Sequence, residues 1–162
     1  MLKYYNAMVV FEELPDEVTL AINISNCPCR CNGCHSQFLW DDVGTYLTFD
    51  ELDKLIKKND GITCVCFMGG DSDPKYVNEL AKYVSYTKSL KCGWYSGKDN
   101  LSEDIDLENF LYIKIGHYDK DFGGLNNENT NQRLYYIEED QKGDNYFLKD
   151  ITYKFWKNKA RF

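Results

Sequence analysis

The chain has 162 residues, 43% of them hydrophobic and 15% aromatic, which is enough apolar material for one domain with a sizeable core and too much for a disordered chain. The formal net charge is −7, and an acidic surface repels phosphate backbones, so nucleic acid is not expected as a partner. No apolar run is long enough to span a bilayer. Met8-Val9-Val10-Phe11 is also too short for the core of a secretory leader, and no small-residue cleavage site follows it. The expectation is a single cytoplasmic domain over residues 1–162 with no membrane association.

Tyr4 to Glu13 reads as a strand and Leu14-Pro15-Asp16-Glu17 as a turn. Val18 to Ser25 reads as a second strand, with Leu20, Ile22 and Ile24 alternating onto one face. Asn26 to Ser36 crowds Pro28, Gly33 and four cysteines into one stretch, which makes it a loop. A helix is predicted to start at Thr48, with Glu51 reaching back to complete a capping box and Leu52, Leu55 and Ile56 as its inner stripe. Ile62 to Met68 is apolar on both faces, as a central parallel strand should be, and Gly69-Gly70-Asp71 ends it. Pro74 to Lys88 reads as a helix with Val77, Leu80, Ala81 and Val84 on one face. Lys91 to Tyr95 and Phe110 to Ile115 are further short strands. The alternation of strands and helices implies an α/β domain with a mainly parallel sheet. From Leu134 the pattern becomes Leu134 to Ile137, a polar turn through Gly143, then Tyr146 to Phe155, which reads as a terminal β-hairpin. The basic end, Lys154 to Arg161, reads as a solvated face.

Seven cysteines is an odd number, and Cys27, Cys29, Cys31 and Cys34 fall within eight positions. In a reducing compartment such a cluster binds metal or does redox chemistry more often than it forms disulfides. Cys27, Cys31 and Cys34 read as C-x3-C-x2-C. Iron in a [4Fe–4S] cluster takes thiolate ligands, normally one per iron, so three leave one iron open to a small molecule. The loop follows a strand, at the edge where α/β sheets collect their ligands, and Gly33 lets the backbone pass close to a cluster. Two other assignments stand beside this one. Structural zinc with Cys29 as fourth ligand is cramped by the one-residue gaps. A redox pair at Cys31 and Cys34 leaves Cys27 unexplained. Cys64, Cys66 and Cys92 read as small buried hydrophobes. Asp71 reads equally as a turn cap or as a ligand-orienting group.

The C-x3-C-x2-C spacing resembles the motif of the radical S-adenosylmethionine superfamily. Asn26-Cys27-Pro28, Cys31-Asn32-Gly33-Cys34-His35, Trp40, Phe67-Met68-Gly69-Gly70-Asp71, Trp94-Tyr95-Ser96-Gly97 and Asn131-Gln132-Arg133 follow in order. Together they resemble the small activating proteins of anaerobic ribonucleoside-triphosphate reductases, from about Leu20 to Ile137. The resemblance implies a partial, open (β/α) barrel-like core with a mainly parallel sheet, followed by the C-terminal hairpin as an extension. It implies a [4Fe–4S] cluster on Cys27, Cys31 and Cys34, and S-adenosylmethionine contacts at Gly33, Cys34, His35, Gly69, Gly70 and Asp71. In the family, reductive cleavage of S-adenosylmethionine gives a 5′-deoxyadenosyl radical that takes hydrogen from a glycine of the reductase. A low-potential donor such as flavodoxin or ferredoxin supplies the electron.

The alternatives are an activase of another glycyl radical enzyme, or a zinc-stabilised Cys-rich binding module. Three features depart from the family pattern. Glu12 to Glu17 stands where a Gly-rich segment is usual, Cys29 is an extra thiol, and Glu138 to Phe162 extends past the usual end. Cys29 is expected to be no ligand and to point away from the other three. The missing side chains of Gly69 and Gly70 are expected to leave room for the methionine end of the ligand.

Overall fold

In chain order, the strands are β1 (Lys3–Val10), β2 (Thr19–Ile24), β3 (Thr45–Tyr46), β4 (Cys64–Met68), β5 (Lys91–Tyr95), β6 (Tyr112–Ile115), β7 (Arg133–Glu139) and β8 (Tyr146–Asp150). The helices are α1 (Phe49–Lys58), α2 (Pro74–Thr87) and the single turn α3 (Lys154–Lys157). This computed structural model describes residues 1–157. The end of the basic stretch, 158–162, lies outside the described residues.

The eight strands form one open sheet in the order β3-β1-β2-β4-β5-β6-β7-β8. Its centre, β2-β4-β5-β6, is parallel. Both flanks are antiparallel. The chain is therefore α/β as expected, but the mainly parallel sheet is not observed: four of the seven pairings are antiparallel. The cause lies in the connections. Parallel neighbours need a long crossover, usually a helix. α1 follows the cysteine loop between β2 and β4, and α2 joins β4 to β5. The links from β1 to β2 and from β6 to β7 contain no helix and return antiparallel, whereas the link from β5 to β6, with only a 3-10 turn at Leu107–Asn109, still crosses over to a parallel partner.

The predicted helix signals act as expected, with one difference. The Thr48 hydroxyl caps α1 by accepting from the Glu51 N–H at 3.1 Å. The Glu51 carboxylate does not reach back. It accepts from the Tyr4 hydroxyl at 2.6 Å instead, tying α1 to β1. Asp73 caps α2 by accepting from Tyr76 N–H at 3.1 Å, with Pro74 opening the helix.

Both helices lie on one face of the sheet. Leu52 of α1 and Val77, Leu80, Ala81 and Val84 of α2 pack there with Leu20, Ile22, Ile24, Val65, Phe67 and Trp94. Full burial of side chains of this size contributes roughly 1.5–3 kcal/mol each. The opposite face is covered by connections rather than long helices: Leu14, Leu125, Ile151 and Phe155 pack over Cys64, Cys66, Tyr112 and Leu134. Across this face, Asn23, Met68, Tyr95 and Lys114 stand in register on β2, β4, β5 and β6. They form the last inward row before the C-terminal edge of the parallel strands.

Candidate functional site at the cysteine loop

The loop that follows β2 is pinned at both ends. Ser25 donates from its backbone N–H to Lys3 O at 3.0 Å and from its hydroxyl to Val43 O at 2.6 Å. Asn26 N–H and Cys27 N–H donate to Asp41 O and Leu39 O at 3.0 and 2.9 Å. Asn26 (φ 60°), Arg30 (φ 49°) and Gly33 (φ 74°) all take left-handed backbone, which curls the segment tightly. The Arg30 guanidinium lies 5.1 Å from the centre of the Trp40 ring, so Trp40 acts in loop packing.

All four loop thiols are half-buried, and none is in a disulfide. Cys34 N–H donates to Cys31 O at 3.2 Å, closing a tight turn, and the Cys34 sulfur accepts from Ser36 N–H at 3.3 Å. Cys29 departs from expectation. Its side chain does not turn away. Its thiol interacts with that of Cys27: the neighbour holds Cys27 below the ordinary thiol range, while Cys29 is pushed up by Cys27 and by burial. The Cys29 sulfur also approaches Asp71 Oδ2 at 3.8 Å and packs against Gly97. The reason is local: left-handed Arg30 reverses the chain just after it. Among the described residues, no three Cys, His, Asp or Glu side chains are grouped closely enough to hold a single metal ion.

Asp71 is buried and braces two strand ends. Its Oδ1 accepts from the Ser96 hydroxyl at 2.5 Å and its Oδ2 from Gly97 N–H at 2.8 Å. It therefore links the turn after β4 to the turn after β5, and α2 takes its cap from Asp73 instead. Beside it opens a pocket of about 400 Å³, lined by Asp71, Trp94, Ser96, Lys98 and Asn100.

Gly69 (φ 102°) and Gly70 (φ 95°) both need left-handed backbone. The space left by the missing side chain of Gly70 faces the core. A Cβ on Gly70 would stand 2.6 Å from Val77 Cγ2 and 3.3 Å from Leu2 Cδ1, inside the helix-side core. A Cβ on Gly69 would stand 3.2 Å from Ile24 O. Gly33 is exposed, and a Cβ there would meet the Lys120 side chain at 2.9 Å. His35 is exposed, with its Nε2 3.2 Å from the Tyr118 hydroxyl.

Asn131 and Gln132 brace the turn after β6, donating to His117 O at 3.0 Å and Gly116 O at 3.4 Å. Arg133 faces Asp150 of β8 at 3.8 Å. Cys64, Cys66 and Cys92 are fully buried, and burial pushes their thiols up, so they act as small apolar side chains.

Lys114 does not stand out in the sequence, where it is one polar position in an otherwise apolar strand. Its ammonium donates to Ser96 O at 3.1 Å and Gly116 O at 2.8 Å. It also sits 5.9 Å from the centre of the Tyr95 ring. Burial lowers its pKa to about 8, although Asp71 and the thiols of Cys31, Cys29 and Cys27 act in the opposite direction.

The structure thus brings Cys27, Cys29, Asp71, Ser96, Gly97 and Lys114 together at one edge. It leaves His35 and Gly33 on the outer rim of the loop. A larger open pocket of about 850 Å³ lies on the face opposite α1 and α2, bordered by Glu12, Glu13, Tyr95, Asn126, Lys154 and Phe155. Among the described residues, no helix is long and apolar enough to cross a membrane. No family model, curated protein or solved structure matches the chain.

Proposed function

We propose that the chain is a radical S-adenosylmethionine enzyme that activates a glycyl radical enzyme, the anaerobic ribonucleoside-triphosphate reductase. In this proposal Cys27, Cys31 and Cys34 hold a [4Fe–4S] cluster. The observation that carries it is the meeting of two segments. The C-x3-C-x2-C loop leaves β2, the Gly69-Gly70-Asp71 turn leaves the neighbouring parallel strand β4, and the two touch where Cys29 meets Asp71. Ligands of open α/β sheets collect at this edge.

The donor set suits the group chemically. Three thiols lie on one short loop, outside any disulfide and outside the apolar core. Held by Cys27, Cys31 and Cys34, a reduced cluster would supply the one electron needed to cleave S-adenosylmethionine into methionine and a radical able to take hydrogen from the partner's glycine. The chain's own residues orient and shield. Asp71, held by Ser96 and Gly97, fixes the turn that would face the methionine end. Asn23, Met68 and Tyr95 line the floor inward of the loop.

The test is anaerobic incubation of reduced, iron-reconstituted protein with S-adenosylmethionine. Methionine and 5′-deoxyadenosine in equal amounts are expected. Iron-replete protein that produces neither, with or without the reductase, would refute the proposal. Zinc in place of iron in anaerobically purified protein would favour a binding module.

A further inference from the structure

Among the described residues, the buried charged side chains are Glu17, Asp71 and Lys114, and they differ in how they are matched. Glu17 meets Lys91 at 2.7 Å and the Thr63 hydroxyl at 2.5 Å. Asp71 receives the Ser96 hydroxyl and the Gly97 N–H. Lys114, 7% exposed, donates to the carbonyls of Ser96 and Gly116 and lies 5.9 Å from the centre of the Tyr95 ring. Among the described residues, no carboxylate lies within ion-pair distance of it. An ammonium taken out of water without an adjacent anion is costly, so a fold keeps one where an anion is to be received.

Its position says which anion. Lys114 stands in the inward row with Tyr95 and Met68, directly inside the edge from which the cysteine loop rises. A short chain of contacts joins it to the loop. Ser96 accepts from Lys114 through its carbonyl and donates to Asp71 through its hydroxyl. Asp71 in turn meets Cys29, which lies in the cysteine loop two residues from Cys27. The turn carrying Gly116 O is itself held by Gln132, so the ammonium is fixed in place.

We propose that Lys114 is the built-in counter-charge of the iron–sulfur cluster, a positioning residue that makes the thiolate-ligated, anionic cluster easier to reduce. The inference rests on the function proposed above. A positive charge beside a redox group stabilises its more negative, reduced form, and charge near a cluster is one of the protein's means of setting its potential.

The experiment compares wild type, Lys114→Met and Lys114→Arg, all reconstituted anaerobically with iron and sulfide. Iron content, far-ultraviolet circular dichroism and a redox titration followed by electron paramagnetic resonance are recorded for each. In Lys114→Met the ratio of reduced to oxidised cluster at a fixed potential should fall about tenfold, a shift of about 59 mV for a one-electron couple. Lys114→Arg should stay close to wild type. A folded Lys114→Met that loses the cluster while Lys114→Arg keeps it also supports the charge role. An unshifted potential in Lys114→Met overturns the inference, as does loss of the cluster from both variants. A wild type that takes up no iron overturns the proposed function and this inference together.

Discussion

Lys114 also gives the structure a pH signature that can be read without any cluster. Its pKa falls from the ordinary 10.5 to about 8 on folding because burial outweighs the attraction of Asp71 and of the Cys27, Cys29 and Cys31 thiols. Between these two values the unfolded chain binds the proton and the folded chain does not. Stability therefore rises with pH across that window. A fall of that size means that folding disfavours the ammonium, relative to the neutral amine, by about 3 kcal/mol. Wild type alone would not display the trend cleanly. The thiols of Cys64, Cys66 and Cys92 and the hydroxyls of Tyr95 and Tyr112 are shifted upward by burial, so they lose stability as pH rises through the alkaline range. The difference between wild type and Lys114→Met cancels those groups. Urea unfolding of iron-free protein in reductant, at each pH from 7 to 10, should show wild type gaining roughly 2–3 kcal/mol on the variant across the range. A difference that stays flat would mean the ammonium is solvated in solution, and the argument from its burial would fail.

Cys27→Ala, Cys31→Ala and Cys34→Ala should each lose bound iron. Cys29→Ala should retain it, and iron counting on the four variants decides. If Cys29→Ala behaves like the other three, a four-thiolate site becomes the better description and the open iron is lost. Gly70→Val should destabilise the iron-free fold by about 2–4 kcal/mol, since it adds overpacking against Val77 to left-handed backbone; an unchanged urea midpoint would contradict the packing. Asp71→Ala should cost about 1–3 kcal/mol by leaving the Ser96 hydroxyl and the Gly97 N–H without their acceptor; unaltered unfolding would show that water replaces the carboxylate. Thr48→Ala should cost about 1 kcal/mol in the same assay through loss of the α1 cap.

Periodicity in the sequence reaches as far as local rules operate. Leu20, Ile22 and Ile24 alternate and are buried together. The α2 stripe Val77, Leu80, Ala81 and Val84 is buried as written. Sheet direction is not local. Alternating strands and helices suggest mainly parallel pairing, but the outer strands follow helix-free links and return antiparallel. The two residues of β3 pair with Lys3 and Tyr4 and carry no period of their own.

The cysteine spacing is legible because it is a short-range pattern. The direction of Cys29 is not, because it depends on left-handed backbone at Arg30, a residue type that seldom adopts it. Gly70 shows a related limit. The sequence marks a turn needing glycine, but only the packing of Leu2 and Val77 reveals that the vacant side faces the core. Lys114 carries one signal in the sequence, a charge spaced two residues from Tyr112 on a strand with apolar neighbours. Its meaning depends on which row of the sheet faces the cysteine loop.

In the proposed function this cysteine edge generates a radical delivered to a partner's backbone. The direct measurement is electron paramagnetic resonance on reduced, iron-replete protein mixed anaerobically with S-adenosylmethionine and the anaerobic ribonucleoside-triphosphate reductase. A glycyl radical signal is expected on the reductase, absent when Cys31→Ala replaces the wild type. A sample with an intact cluster and bound reductase that gives no such signal would contradict it.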